Sequence, residues 1–537
     1  MATANFLIPG IMRDSIVLKK GTNEFLGFPQ AARNGTEVEI KLECEGQVEA
    51  SFTVQYVIRS SPCDKEFFDV HRQQSVRDLL NDYFDKEKTI PEGFHYDRIL
   101  YYKSKPQKIN CKDSRGVVWL SPEIPSVPLI VVNVTEDIHS GRKRREAYPG
   151  INRDTIDGGA KNTLTSWHPV QTLPADGIYF LVLKFSDIEL PESAKAYNLS
   201  VNVQWRGPRG FLSAIDYPLA MFYFWIGMAY VVYAIIWLFA CLPYWQDILR
   251  IQYWIGGVIL IGMVEKALFI AEYVTMNDSG TSTAGLIEAA ELFSCFKRTM
   301  SRVLVIIVSV GYGVVKPRLG ATMKQIGAVG VVYFILCSIE GLSRVSRRNI
   351  EGAKQKQIAA LPLVVVEVII FYWIFTSLTA TMRTLRMRRN VVKLNVYRHF
   401  TNVLGFAMVS SLIFMVWSLY AHTLQHCSAD WKELWVDTAF WHILFCLILA
   451  AIMILWRPSK NNNRYAFTPL LDESEDENDD ELFNNQMLGP DVVKLRNVKN
   501  GQTDLQINME SIKTRDDALQ VAVSVQSLLL YQYLRRT

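Results

Sequence analysis

The chain is poor in the residues and motifs that carry chemistry. Only eight of its 537 residues are histidine, and none of them is read as a metal ligand. There is no paired Cys-x-x-Cys, no nucleophile elbow and no Walker loop, so the sequence points away from an enzyme and implies no cofactor. An excess of one charge is also lacking. The 57 Lys and Arg against 53 Asp and Glu leave a formal net charge of +4, too small over this length for a nucleic-acid footprint built on one basic face. Repeats of solenoid period are absent. The start, Met1 to Gly10, lacks a basic n-region followed by an apolar h-region, so a truncated or misassigned N-terminus is expected.

What is abundant is apolar sequence, and it is segregated. Half of the residues are hydrophobic and 12% aromatic, with thirteen Trp, and the mean hydropathy is +0.10. The division is into a soluble-looking segment 1–212, an apolar segment 213–456 and a polar, acidic tail 457–537 that reads as disordered. A helix needs about 20 apolar residues to cross the hydrocarbon core. Seven runs qualify as candidates: Pro218 to Leu242, Trp254 to Val274, Leu286 to Val315, Ile326 to Gly341, Ile358 to Met382, Val403 to Ala421 and Thr438 to Trp456. The fourth is short, and Lys297, Arg298 and Arg302 interrupt the third.

Seven spans put the termini on opposite sides. Arg383, Arg386, Arg388, Arg389, Lys393 and Arg398 after the fifth run, and Lys316, Arg318 and Lys324 after the third, favour an N-terminus outside the cytosol. Arg344, Arg347, Arg348, Lys354 and Lys356 disagree. Two further signals favour the same orientation. The Asn-x-Ser/Thr sequons at Asn34, Asn133, Asn198 and Asn277 all fall on the lumenal side of that arrangement. So do Cys44, Cys63, Cys111 and Cys427, an even set suited to disulfides, while Cys241, Cys295, Cys337 and Cys446 lie in or beside spans.

The segment ahead of the first span has a hydrophobic period of two. Tyr197, Leu199, Val201, Val203 and Trp205 alternate with polar neighbours, and Val38 to Leu42, Phe52 to Val57, Leu129 to Val134 and Ile178 to Phe185 are strand-like as well. An all-β sandwich is expected, with a helical insertion at Val70 to Phe84 and a polar loop at Ile138 to Asn162.

The strongest anomaly is ionisable residues inside the spans, each costing about 2.5 to 3.5 kcal/mol at a helix centre. Glu265 and Glu272 share one face of the second span, with Lys266 beside the first. Glu288 and Glu291 sit one turn apart on the third, and Arg298 and Arg302 follow Glu291 along one stripe. A network between helices two and three is expected, converging with Asp437 near the lumenal mouth. It reads either as structural glue or as a candidate ion path. Gly311-Tyr312-Gly313 superficially matches a potassium filter but is expected to lie at a helix end.

The segments LRIQYWIGGVILIGMVEKALFIAEY (249–273), ELFSCFKRTMSRVLVIIVSVGYGVVKPRLG (291–320), VVKLNVYRHFTN (391–402), DWKELWVD (430–437) and LWRPSKNNNRYAFTPL (455–470) resemble the transmembrane protein 87 family. That family belongs to a GOLD-domain seven-helix group that also holds Wntless and the lung seven-transmembrane receptor proteins. The likeness is dense over 215–470, and ahead of it rests on cysteine spacing and strand pattern. It implies a lumenal GOLD-like β-sandwich on a seven-helix bundle, residence in Golgi and endosomal membranes, and a part in endosome-to-Golgi retrograde traffic, with cation-channel activity as the alternative. It also implies pairing of Cys44 with Cys111 and of Cys63 with Cys427.

Expected partners are membrane lipids, including a phospholipid in the bundle, lumenal protein cargo and cytosolic sorting machinery. For the last, the acidic cluster around Ser474 and the Tyr-x-x-Φ sequence at Tyr531 are candidates. Arg142 to Arg145 fits the pattern cut by furin-type proteases.

Overall fold

The computed structural model of the chain describes residues 9–44, 49–63, 66, 80–81, 83–84, 98–111, 116–120, 130–133, 167–191, 196–283, 285–312, 320–346, 353–389, 391–418, 420 and 431–458. The first part is a two-sheet antiparallel sandwich. Its strands are β1 (Ile11–Lys19), β2 (Glu24–Ala32), β3 (Glu37–Cys44), β4 (Ala50–Ser61), β5 (Arg98–Lys103), β6 (Gln107–Cys111), β7 (Val117–Trp119), β8 (Ile130–Asn133), β9 (Gln171–Thr172), β10 (Gly177–Glu189) and β11 (Ala196–Arg206). One sheet runs β1-β11-β3-β7 with β9 beside β3, and the other runs β2-β10-β4-β5-β8 with β6 beside β4.

The alternation seen in the sequence is what closes the sandwich. Tyr197, Leu199, Val201, Val203 and Trp205 of β11 face Phe52, Leu181, Leu183 and Phe185 of the other sheet in one core. The run Ile178 to Phe185 is apolar at every position but Lys184 because β10 is covered on both faces. Tyr179, Leu181 and Leu183 enter the inter-sheet core, whereas Ile178, Phe180 and Val182 pack under helical residues Leu80, Tyr83 and Phe84, together with Ala214 and Trp431. Those helical residues are the described part of the expected Val70 to Phe84 insertion. Four of the longer strands, β1, β2, β5 and β6, were not anticipated. β2 contains Pro29, which has no N–H for a sheet, and it is tolerated because β2 is an edge strand pairing only with β10.

Seven long helices follow: α1 (Asp216–Cys241), α2 (Arg250–Ser279), α3 (Leu286–Val310), α4 (Gly320–Ser346), α5 (Ala353–Met387), α6 (Val391–Ser418) and α7 (Trp435–Leu455). Six of them are long and apolar enough to cross a membrane. The exception is α3, whose charged residues are accommodated because it packs against α2, α4 and α5.

Several expected bounds shift. α3 stops at Gly311, whose left-handed φ of +82° and N–H bonds to the Ile307 and Val308 carbonyls end the helix, so the Gly-Tyr-Gly run begins at a helix end and α3 does not reach Val315. α4 is a full 27 residues, longer than the apolar run alone. α6 begins at Val391 rather than Val403, because Tyr397 and Phe400 are buried and Tyr397 Oη donates to the Val308 carbonyl at 3.1 Å. Lys393 and Arg398, expected in a loop, therefore lie on a helix.

Sandwich and bundle are joined by backbone hydrogen bonds. Ile11 N–H donates to the Gly280 carbonyl (2.9 Å) and Phe211 N–H to the Asn277 carbonyl (3.0 Å). Gly280 closes α2 with φ +74°, and a Cβ there would meet Ile11 Cγ1 at 2.5 Å, so only glycine allows β1 this close.

Candidate functional site

The charged residues of the spans are gathered inside the bundle, but around several centres. The innermost joins α2, α3 and α7. Glu265, Lys266 and Lys297 are 0%, 1% and 3% exposed. Lys297 Nζ donates to Glu265 Oε2, and Lys266 Nζ lies 3.4 Å from the same oxygen. Lys266 Nζ is also 3.1 Å from His442 Nδ1. The other ring nitrogen, His442 Nε2, faces Tyr223 Oη at 3.4 Å. Aromatic faces complete the lining: Lys266 Nζ lies 4.9 Å from the Tyr223 centroid, and Lys297 Nζ 4.9 Å from that of Phe445.

A second centre joins α3, α4 and α5. Arg302 Nη2 donates to Glu367 Oε1 at 3.2 Å, and Tyr333 Oη donates to the same oxygen at 2.9 Å. Between the two, Arg298 Nη2 lies 3.9 Å from Glu291 Oε2 and donates to Ser294 Oγ at 3.2 Å. Nearby, the thiols of Cys295 and Cys337 touch at 2.9 Å across α3 and α4.

The expectation that Glu265, Glu272, Glu291, Lys266, Arg298 and Arg302 converge with Asp437 is therefore corrected. Glu272 is engaged by Ser282 Oγ, and Asp437 Oδ2 accepts from Ser418 Oγ at 3.1 Å. Glu291, Arg298 and Arg302 do share a stripe, yet it faces α4 and α5. Lys297, one residue and about 100° around the helix from Arg298, is the base that reaches Glu265. Four participants carry no role in the sequence reading: Lys297, which enters it only as an interruption, and His442, Glu367 and Tyr333. The first three were visible as ionisable residues within apolar runs. Glu265 Oε1, Glu272 Oε2, Glu288 Oε2 and Glu291 Oε2 are buried oxygens without a hydrogen-bond partner among the described residues. No three His, Cys, Asp or Glu side chains gather as a metal site among the described residues.

In the sandwich, Cys44 of β3 is bonded to Cys111 of β6, with their Cα atoms 5.9 Å apart. Cys63 is also disulfide-bonded, and its partner lies outside the described residues, as does Cys427. Asn34 and Asn198 are exposed. Asn277 is not free in the same way: its Nδ2 donates to the Arg209 carbonyl at 2.9 Å, and its Oδ1 accepts from Leu212 N–H at 3.4 Å. The Asn133 side chain, Arg142, Arg145, Ser474 and Tyr531 lie outside the described residues.

A β-sandwich standing on seven helices with a polar interior defines a class of multi-pass membrane protein, and residues 218–463 match the family described as "GOST, seven transmembrane domain". The chain is 39% identical to Transmembrane protein 87A of Xenopus tropicalis over 88% of its own length and 82% of the relative's. It is 41% identical to human Transmembrane protein 87A, covering 90% and 82%, and 36% identical to mouse Transmembrane protein 87B, covering 88% and 78%. The chain belongs to the transmembrane protein 87 family.

Proposed function

We propose that this protein works in Golgi and endosomal membranes, sandwich to the lumen and tail to the cytosol, as a cargo- or lipid-binding component of endosome-to-trans-Golgi retrograde traffic. The interior network serves to hold the helices in one arrangement. The observation that carries this reading is neutralisation: Glu265 is flanked by Lys266 and Lys297, Glu291 by Arg298 and Glu367 by Arg302. A cation entering that interior would meet Lys266, Lys297, Arg298 and Arg302, which repel it. Membership of the transmembrane protein 87 family supports the trafficking role.

The second reading, a cation channel of the Golgi, draws on the unpartnered oxygens of Glu272 and Glu288, acids that lie outside the paired centres. One experiment separates the two. The purified full chain in liposomes is expected to show no cation flux above empty vesicles, while Glu272→Gln in cells shifts the protein from the Golgi. Robust flux that Glu272→Gln abolishes, with Golgi residence intact, would establish the channel instead.

A further inference from the structure

Where the sandwich meets the bundle, at the start of the first span, a small cleft open to solvent is lined by residues from β2, β11, the 207–212 connection, α1 and α2. Two cations meet in it. The Arg33 guanidinium lies 4.0 Å from the centroid of the Tyr217 ring and that of Arg209 5.3 Å from it, with Arg209 Nη1 donating to Tyr217 Oη at 3.1 Å. Burial, and then the neighbouring Arg209, hold the Arg33 pKa below the usual guanidinium value. The nearby carboxylate, Asp176, is already engaged by Asn34 N–H and by Lys432 Nζ.

Two residues of the cleft lining also carry, just beneath it, polar atoms that the described protein leaves unpaired. Trp205 and Gln30 are 1% and 2% exposed, both line the cleft, and Trp205 Nε1 and Gln30 Oε1 are buried with no hydrogen-bond partner among the described residues. A buried N–H left without an acceptor is costly, so a donor, an acceptor and two cations around one cleft call for a group that answers all of them.

We propose that this cleft binds a phosphate group. Phosphate oxygens accept from Trp205 Nε1–H and from the fork-shaped guanidinium donors of Arg33 and Arg209. A monoester, whose second pKa is near 6, keeps in its singly protonated form an O–H for Gln30 Oε1. Because Tyr217 stands in the first turn of α1, the phosphate has two sources: the headgroup of a lipid in the leaflet on the sandwich side, or a soluble phosphate. The site is separate from the polar centres between the spans. An anion here would tie the sandwich residue Arg33 to Arg209 and α1, making the docking of the two parts dependent on what the membrane or the lumen supplies.

The test uses the purified full chain in neutral detergent, with dioctanoyl phosphatidic acid, inorganic phosphate and dioctanoylglycerol as probes. Phosphatidic acid is expected to bind and to weaken at least tenfold in Arg33→Gln and in the exposed-site variant Arg209→Gln, while Arg206→Gln, outside the cleft, leaves binding unchanged. Phosphatidic acid far tighter than inorganic phosphate identifies a lipid headgroup; equal affinities identify a soluble phosphate. The proposal is overturned if neither phosphate probe binds, if dioctanoylglycerol binds as well as phosphatidic acid, or if folded Arg209→Gln and Arg33→Gln both retain full affinity.

Discussion

Lys297 of α3 and Glu265 of α2 form an ion pair inside the bundle with side chains only 4% and 0% exposed. Such a pair gains little over an apolar contact, but removing one partner strands the other, typically at a cost of about 3 to 5 kcal/mol. The two partners are not equivalent. Glu265 also lies against Lys266, so Lys297→Met leaves the carboxylate one base, whereas Glu265→Gln leaves two buried lysines without their acid. Glu265→Gln is expected to cost about 3 to 5 kcal/mol and Lys297→Met clearly less. Thermal unfolding of purified variants reads the order; a larger loss for Lys297→Met would contradict this arrangement.

The Arg302, Glu367 and Tyr333 centre gives a smaller, separable effect. Side-chain hydrogen bonds between membrane helices couple by about 0.6 kcal/mol on average, because the partners find others when separated. Tyr333→Phe is expected to destabilise by about that amount, and to have no effect in a Glu367→Leu background, which removes the acceptor. A double-mutant cycle measures it; additivity of the two changes would show that Tyr333 and Glu367 do not act together.

Much of the fold was legible because it rests on periodicity. Alternation along 197–205 places β11, and seven apolar runs place seven helices. Helix starts were not legible where polar residues extend a helix, as Lys393 does in α6, since hydropathy reads composition while Tyr397 and Phe400 are fixed by tertiary packing. The polar network was half legible. Charges inside apolar runs flag themselves, but which base meets Glu265 depends on how α3 is rotated, and adjacent Lys297 and Arg298 differ by about 100°. The Arg33, Arg209 and Tyr217 cleft left no sequence signal, because it is made by segments almost two hundred residues apart that only the docked sandwich brings together.

Asp176 holds that docking independently of pH across the neutral to mildly acidic range. Its carboxylate accepts from Asn34 N–H (2.8 Å) and Lys432 Nζ (3.0 Å), and these contacts, the Asn34 hydrogen bond foremost, hold its pKa below the ordinary aspartate value. A depressed carboxylate stabilises fully above the unfolded pKa, about 3.9, and loses that contribution as pH falls through the lower folded value. The tie should therefore be unchanged between pH 7 and 5, the span from cytosol-like to acidic lumen. Hydrogen exchange of the Asn34 amide should stay protected across that span and be lost in Asp176→Ala; deprotection of the unaltered protein between pH 6 and 5 would rule this out.

Cys63 is bonded to a cysteine beyond the described residues. If that partner is Cys427, the bond fastens the sandwich to the connection between α6 and α7, where Trp431 already packs beneath Ile178, Phe180 and Val182. Removing a native disulfide typically costs about 2 to 5 kcal/mol. Cleavage after Arg145 would then leave the two pieces joined, giving one band on non-reducing gels and two on reducing gels. Non-reducing peptide mapping that joins Cys63 to any other cysteine would disprove the staple.

The four sequons should not be equally occupied. A glycan is attached through the asparagine Nδ2, and that atom of Asn277 is committed to the Arg209 carbonyl while Oδ1 accepts from Leu212. Space is short as well: a Cβ on Gly210 would meet Asn277 Oδ1 at 2.3 Å, so the amide is packed against backbone on that side. Asn34 and Asn198, by contrast, are exposed. With the sandwich in the lumen, Asn34→Gln and Asn198→Gln should each remove one glycan's mass, and Asn277→Gln none. That last variant should instead loosen the junction, by about 1 kcal/mol for each hydrogen bond lost, and lower the unfolding temperature. A glycopeptide containing Asn277, recovered from folded protein by mass spectrometry, would show that the junction opens further than its hydrogen bonds allow.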